Sequence, residues 1–350
     1  MHRQTRTYLD WNATAPLRRE AREAMIGAMG LVGNPSSIHA EGRAARTAVE
    51  RARGQIAEAL GAQNADIVFV SGATEAAALA CADRGLLCAP VEHEAVLAWC
   101  DPSLPVDAQG SVDVSEPGRA ALQAANSETG VLQDLPEGLA VVDATQAFGK
   151  VPFAFEWSGA QMTFVSAHKI GGPKGIGVLI LKRGLDLAAR ARGGGQEMGR
   201  RAGTENVAAI AGFGAAAEAA AADLASDMWS AVRARRDSLE DALMRDASGL
   251  ICVGKDASRL PNTSLLVTPG WKGETQVMQM DLSGFAVSAG SACSSGKLRG
   301  SGTLAAMGMD PDAAGSAIRV SLGPTTTDED VSRFAEAWLR QWNKHRARAA

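Results

Sequence analysis

The sequence lacks the features that mark several classes of protein. Its 350 residues carry a formal net charge of −4, which gives no reason to expect a nucleic-acid or membrane-surface partner. The first residues, MHRQTRTYLDW, lack the apolar stretch of a secretory signal, and we find no internal repeat or low-complexity tail. Hydrophobic residues make up 46% of the chain and charged residues 21%, which is typical of a globular protein with a full core. We therefore expect a cytoplasmic protein that binds neither membrane nor nucleic acid.

Cysteine is scarce, and its pattern is informative. The five cysteines are odd in number and form no C-x-x-C pair, which argues against a disulfide framework, and we predict no metal site. Cys81, Cys88, Cys100 and Cys252 lie among aliphatic or helical sequence, which favours buried structural thiols. Cys293 differs, because its surroundings, SAGSACSSGKLRGSG, are too small and polar to form a core.

Alternating strand and helix patterns indicate an α/β fold. Helical spacing covers residues 16–29 and 40–60. The apolar run ADIVFV, the turn SGATE and the helical EAAALACADRGLL form the βα unit of a mostly parallel sheet. The pattern recurs in LAVVDATQAF, QMTFVSAHK and GIGVLILKRG. Polar residues thus follow several apolar strands, and the carboxyl ends of strands are where open α/β sheets bind ligands.

The character of the chain changes after about residue 225. A charged helical stretch leads into short strand-like pieces, NTSLLVT and GFAVSAG, and a final amphipathic helix near residues 328–345. We predict a large domain over residues 13–224 and a smaller α+β domain built from residues 1–12 and 225–350. The Ala-rich run that ends near residue 225 carries Glu218 and Asp223, which favours a packed helix over a membrane span.

The turn SGATE, residues 71–75, is a candidate phosphate cradle. Small residues allow a ligand to approach the backbone, and a helix N-terminus offers free N–H groups to an anion. In this interpretation the amides of Ala73 and Thr74 and the Thr74 hydroxyl bind the phosphate. The alternative is an ordinary helix cap by Ser71 or Thr74. The spacing of a nucleotide P-loop is missing, so a smaller phosphate ligand is favoured.

Two further residues end apolar strands. Asp143 in VVDATQ is either a turn-capping residue or a functional anion. Lys169 in FVSAHKIGGPKGIGVLIL is either a solvated loop lysine or a desolvated amine able to form a Schiff base. A phosphate cradle, a strand-end aspartate and a strand-end lysine together are what pyridoxal phosphate (PLP) needs. The aspartate would pair with the protonated ring nitrogen, and the lysine would hold the aldehyde carbon.

The order of motifs resembles one family. YLDWNATAP, GNPSSIHAEGR, SGATE, EHEAV, NSETG, DATQAFGK, SAHKIGGPKGIGVLIL, RRAGTEN, SAGSACSSG and IRVSLG follow the order seen in cysteine desulfurases, class V PLP enzymes of fold type I. The resemblance runs from residue 8 to about residue 330. It implies a fold-type I PLP-dependent transferase with a mostly parallel central sheet flanked by helices and a smaller α+β domain.

The resemblance also implies a role for each matching residue. The implied catalytic residues are Lys169, Cys293 and His93. The implied cofactor-binding residues are Ala73, Thr74, His93, Asn126, Asp143, Gln146, Ser166, His168, Lys169 and Thr204. The implied substrate-binding residues are Arg319, Asn12 and Asn34.

Several of these residues have specific implied contacts and ordinary alternatives. His93 would stack on the cofactor ring, or it is a satisfied core histidine. Gln146 would bind the phenolic oxygen, or it is a polar turn residue. Arg319 would clamp the substrate carboxylate, a geometry that lysine cannot supply, or it forms a surface salt bridge. Thr204 would reach the phosphate of the partner subunit in a homodimer, or it caps a helix.

One motif departs from the family pattern. The family has two asparagines before the E-x-G of this segment, whereas this chain has Asn126 and Ser127. Serine can still donate and accept a hydrogen bond, but its side chain is shorter. Either Ser127 acts through water or Asn126 takes over the cofactor contact.

The resemblance implies conversion of L-cysteine to L-alanine, with the sulfur left as a persulfide on Cys293. A base such as His93 or Lys297 would help to form the thiolate. The sulfur would pass to an acceptor protein for iron–sulfur cluster assembly or for thiocofactor or tRNA thiolation. Alternatives are a selenocysteine lyase or aminotransferase of the same fold, or a non-catalytic persulfide relay or scaffold.

Overall fold

The computed structural model describes residues 6–290 and 300–349. Its α-helices are α1 Arg19–Met29, α2 Ala40–Ala59, α3 Ala73–Cys81, α4 Glu94–Leu97, α5 Phe155–Ser158, α6 Val207–Ala225, α7 Met228–Asp246, α8 Gly273–Leu282, α9 Gly302–Ala306, α10 Pro311–Ala314 and α11 Asp328–Ala349. Its strands are β1 Thr7–Tyr8, β2 Ala65–Val70, β3 Ala121–Gln123, β4 Val141–Asp143, β5 Met162–Ser166, β6 Gly177–Lys182, β7 Ile251–Val253, β8 Thr263–Val267, β9 Phe285–Ala286, β10 Ser288–Ala289 and β11 Ala317–Ser321. Short 3₁₀ turns cover Pro117–Arg119, Ala167–Lys169 and Gln196–Gly199.

The predicted central sheet is present, with strand order β2-β6-β5-β4-β3. Strands β3, β4 and β5 pair in parallel, and β2 runs in the same direction because β6 is antiparallel to both β5 and β2. Single parallel bridges from Leu87 to Ala120 and to Asp101 extend the sheet beyond β3. The mostly parallel sheet is therefore confirmed. Strand β6 is the exception, because the link from β5 covers only residues 167–176 and a parallel crossover needs a dozen or more residues.

Helices cover both faces of this sheet. Along β2, Ile67 and Phe69 belong to a core cluster shared with α1, α2 and α6, whereas Val68 and Val70 belong to a second cluster shared with α3. Successive strand residues point to opposite faces, so an unbroken apolar run such as ADIVFV is what a strand buried on both sides requires. The sequence pattern and the layered packing therefore agree.

A smaller antiparallel sheet, ordered β10-β11-β8-β7, follows in the C-terminal part of the chain. It shares a third core cluster with α7, α8 and α11, in which Trp271 and Trp338 are fully buried. The N-terminal strand β1 pairs with β9, and Asp10 bridges to Ser321 at the end of β11. The first residues thus associate with the later elements. The domain boundaries remain a prediction from the sequence.

Helix α6 is, among the described residues, the one helix long and apolar enough to cross a membrane. It packs against α1 and α2, and glycines in it allow close contact. A Cβ at Gly212 would lie 2.5 Å from Met25 Cγ, and one at Gly214 would lie 2.8 Å from Ala52 Cα. Eight of its residues are buried in the fold, as expected of a packed helix.

Candidate active site

The carboxyl ends of β2, β3, β4 and β5 meet at one edge of the central sheet and border a cavity of about 690 Å³. The volume is that of a cofactor or small-molecule site. The cavity lining includes many of the residues singled out in the sequence. They are Asn12, Ala73, Thr74, His93, Asp143, Gln146, Ser166, His168, Lys169 and Arg319. Residues that lie far apart in the chain therefore share one site.

The N-terminus of α3 forms one end of the cavity. Its N-cap is Gly72, with φ 157° and ψ −178°, and no described side chain caps the helix. The amides of Ala73 and Thr74 therefore lack the side-chain acceptor that an ordinary cap would supply, and the helix dipole favours an anion there. A Cβ at Gly177 of β6 would lie 2.9 Å from Gly72 Cα, so the strand glycine allows the close approach. This end fits a phosphate group.

Ser166 lies beside this end, because a Cβ at Gly72 would lie 3.8 Å from its Oγ, and His168 lines the cavity from the 3₁₀ turn that follows β5. Burial, with further contributions from the charges of Lys169 and Lys174, lowers the pKa of His168 to about 4. The imidazole is therefore neutral at pH 7, and it offers one N–H donor to an anion without adding positive charge.

Asp143 ends β4 in the middle of the sheet edge. Its Oδ1 accepts the backbone N–H of Thr145 at 2.8 Å. Burial raises the pKa of this carboxyl, while the hydrogen bonds from Thr145 and the charges of His93 and Lys169 oppose the rise. A desolvated carboxyl gains most from a cationic partner, so Asp143 is suited to hold a protonated ring nitrogen.

Lys169 follows β5 in its 3₁₀ turn, and backbone oxygens fix its amine. The Nζ atom donates to the carbonyl oxygens of Asn12 at 2.6 Å and Ala13 at 3.0 Å. The side chain is half-buried and lines the cavity. Lys169 is therefore not a solvated loop lysine, and its amine is held where it can meet a carbonyl carbon.

His93 is the N-cap of α4, and its Nδ1 accepts the backbone N–H of Ala95 at 3.1 Å. This hydrogen bond makes Nε2 the nitrogen that carries the proton in the neutral ring. The half-buried ring lines the cavity, so it is not a histidine enclosed in the core.

A buried polar network, which the sequence analysis missed, lies behind Lys169. Asn12, with no exposed surface, accepts the Gln146 Nε2 donor on its backbone oxygen and the Lys150 Nζ donor on Oδ1. Its own Nδ2 donates to Thr263 Oγ1 at 2.8 Å. Lys150 closes the motif DATQAFGK, but its contacts lie so far along the chain that only the fold reveals them.

Arg319 enters the cavity from β11 of the smaller sheet and is 3% exposed. Its guanidinium donates to Asp10 Oδ1 at 2.9 Å and to the Ser127 carbonyl oxygen at 3.0 Å. Arg319 is therefore held in place by two acceptors and does not form the surface salt bridge of the alternative interpretation. Asp10 was not predicted as its partner.

Two residues of the cavity wall carry buried polar atoms that have no hydrogen-bond partner among the described residues. They are Thr14 Oγ1 and Arg319 Nε. Buried polar groups are normally paired, so these atoms indicate a polar ligand. With an anion site at the α3 end, a carboxyl at the centre and a held amine, the residues present fit PLP.

The structure does not bring every predicted residue to this cavity. Asn126 lies behind the wall, because its amide oxygen accepts from Glu128 and Thr129 and its NH₂ group donates to Val91. Ser127 lines the cavity in its place.

Two other predicted residues also lie elsewhere. Asn34 and Thr204 are exposed and do not line the cavity of their own chain. Cys293 and Lys297 lie outside the described residues.

Comparison with known proteins agrees with this geometry. The family model of class V aminotransferases matches residues 7–101 and 104–334, so the chain belongs to the class V aminotransferase family. Among solved structures, a NifS-like protein from Rickettsia africae has a TM-score of 0.88 and 30% identity over 97% of this chain and 99% of its own. A structure of SspA in complex with cysteine has a TM-score of 0.74 and 25% identity over 92% of this chain and all of its own.

Curated relatives place the chain more closely. It is 40% identical to a cysteine desulfurase of Cereibacter sphaeroides over 95% of this chain and 94% of the relative. It is 36% identical to the cysteine desulfurase IscS of Dictyoglomus turgidum over 93% of this chain and 91% of the relative. Within its family the chain therefore belongs with the cysteine desulfurases, which are PLP-dependent enzymes.

Proposed function

We propose that the protein binds PLP in this cavity and converts L-cysteine to L-alanine, transferring the sulfur to Cys293. The observation that supports the proposal most strongly is the convergence of the α3 amides, Asp143 and Lys169 on one cavity. When bound, PLP supplies an electron sink for the charge left on the substrate after its Cα proton is removed.

The chain's own residues hold the cofactor at three places. The α3 amides and Ser166 would bind the phosphate, His168 would add a neutral donor, and Asp143 would pair with the ring nitrogen. Lys169 would hold the aldehyde carbon, and its amine is the base placed to accept the Cα proton of the substrate. His93 would lie against the ring, where Nε2 can hold or return a proton.

Arg319 binds the substrate carboxylate. Its guanidinium is preorganised by Asp10 and Ser127, and its Nε has no other partner among the described residues. A buried, held guanidinium fixes a carboxylate in position and orientation, which aligns the substrate with Lys169. Asn12 holds the nearby Gln146 amide and Lys150 amine in position through its hydrogen bonds. Asn34 is also proposed as a substrate contact.

Cys293 takes the sulfur in this proposal. Its thiol and L-cysteine give a Cys293 persulfide and L-alanine, so atoms and electrons balance without an external oxidant. The persulfide then passes to an acceptor protein. Relatives named IscS and NifS support an acceptor for iron–sulfur cluster assembly. We further propose a cytoplasmic homodimer in which Thr204 reaches the phosphate of the other subunit.

The visible absorption of purified protein with added PLP tests cofactor binding at this site. We expect Lys169→Ala to lose the band of lysine-bound PLP, because Lys169 is the lysine whose amine two carbonyl oxygens hold at the cavity. Lys182→Ala, which removes an exposed lysine at the end of β6, is the matched control and should keep the band. A normal band in Lys169→Ala would contradict the assignment.

A further inference from the structure

Lys150 is a buried amine for which the proposed reaction has so far given no role. It is 3% exposed, and its Nζ lies 2.5 Å from Gln146 Oε1 and 3.2 Å from Asn12 Oδ1. Burial, and secondly the charges of Lys169 and Arg319, lower the pKa of Lys150 well below its usual value. In either protonation state the amine has at least two N–H donors, which matches the two acceptors present.

The Gln146 amide is held at both ends. Its Oε1 accepts from Lys150, and its Nε2 donates to the backbone oxygen of Asn12 at 2.9 Å. Rotation of the amide by half a turn would place Oε1 against the Asn12 carbonyl oxygen, and two acceptors repel each other. Nε2 carries two N–H groups and Asn12 uses one, so the second is left for a ligand in the cavity that Gln146 lines.

We propose that Lys150 is a positioning residue that orients the Gln146 amide, so that the site presents a donor and not an acceptor to the phenolic oxygen of PLP. The inference rests on the proposed function, because that oxygen belongs to the cofactor. Without Lys150, Oε1 loses its buried donor and only the Asn12 contact still orients the amide, so the donor is directed less firmly at the phenolic oxygen.

The readout is the pH midpoint at which the visible band of the PLP-loaded protein changes. The phenolate stabilises the proton on the nitrogen that joins Lys169 to PLP, and a donor to the phenolate weakens that effect. Loss of the donor therefore raises the midpoint. For Lys150→Met we expect a rise of about one pH unit and about tenfold weaker PLP binding, as for one hydrogen bond to a charged group.

A double-mutant cycle separates positioning from simple structural damage. If Lys150 acts through Gln146, Lys150→Met should cause no further shift in a Gln146→Ala background. Lys174→Met, which removes another cavity lysine that does not contact Gln146, is the control and should shift the midpoint equally in both backgrounds. An equal shift for Lys150→Met in both backgrounds, or none in either, would overturn the inference.

A second variant covers the case in which Lys150→Met does not fold. Gln146→Glu keeps the size of the side chain and presents only oxygens, so it should raise the midpoint as the rotated amide would. A wild-type midpoint in Gln146→Glu would also overturn the inference. Failure of the proposed function is distinguishable, because the wild-type protein itself would then show no visible band with PLP.

Discussion

Three lysines in and around the cavity show how environment sets the chemistry of one residue type. Lys174 is exposed, Lys169 is half-buried and held by carbonyl oxygens, and Lys150 is buried with a lowered pKa. The sequence predicted the position of Lys169, because it follows an apolar strand and precedes glycines. It could not predict the environment of Lys150, because Asn12 lies 138 residues away in the chain.

The other residue predictions were also limited to what neighbouring residues in the sequence can show. Asp143 and the α3 amides were found from local patterns, and the structure places both at the cavity. The choice between Asn126 and Ser127 depended on which side chain forms its hydrogen bonds within the turn, and the local sequence does not show this. The hydrogen bonds of Asn126 in the folded structure show that its side chain is the one used in the turn.

His168 leads to a prediction about stability at low pH. Its pKa falls from 6.5 to about 4 in the folded protein, so the unfolded state binds the proton more readily. This contribution to stability is fully present above pH 6.5 and is lost as the pH falls toward 4. We expect His168→Gln to reduce the fall in the free energy of unfolding between pH 6.5 and pH 4, as measured by urea unfolding of the cofactor-free protein.

His39→Gln, which removes an exposed imidazole, is the control for that measurement. If His168→Gln and the wild-type protein lose stability in parallel between pH 6.5 and pH 4, the account of His168 is wrong.

At the scale of elements, strands buried on both faces were predictable because their apolar runs are unbroken and end at turns. Single bridging positions such as Leu87 and Asp101 carry no such run, and the fold alone shows that they extend the sheet. The pairing of β1 with β9 joins residues 7–8 to residues 285–286 through two strands that are too short for a periodic signal.

The contact between β6 and the start of α3 gives a second prediction. A Cβ at Gly177 would lie 2.7 Å from the Val165 carbonyl oxygen and 2.9 Å from Gly72 Cα, so Gly177→Ala must displace the phosphate cradle or the strand. We expect a loss of about 1–3 kcal/mol in the free energy of unfolding, as for overpacking, together with weaker PLP binding. Urea unfolding and a PLP titration measure the two effects.

Gly54→Ala is the matched control, because a Cβ at this α2 position meets nothing within 4 Å. Alanine favours a helix over glycine by about 1 kcal/mol, so this variant should be slightly more stable and bind PLP normally. Normal PLP binding by Gly177→Ala would contradict the close approach as a requirement of the cradle.

At the scale of the whole molecule, the N-terminal segment joins the two sheets at the site. Asp10 holds Arg319 of β11, while the backbone of Asn12 and Ala13 holds Lys169 after β5. The proposed substrate anchor and the proposed reactive amine therefore come from different sheets and are tied together by one short stretch. Local sequence patterns cannot show such a connection, although the resemblance to a family pointed to the motif that contains it.

The proposed homodimer gives a prediction at the same scale. If Thr204 serves the partner's site, a Thr204→Ala chain and a Lys169→Ala chain can form a hybrid dimer with one complete site. Random exchange of subunits would restore about a quarter of the wild-type activity, since half of the dimers are hybrid and each has one intact site. A mixture no more active than the separate variants would contradict the shared site.

The most direct test of the central claim is to incubate the PLP-loaded protein with L-cysteine and to measure both alanine and the mass of the Cys293 peptide. The account predicts alanine release and one added sulfur on Cys293, both lost in Cys293→Ser and retained in Cys252→Ser. Absence of alanine from the wild-type protein, or full sulfur transfer by Cys293→Ser, would contradict it.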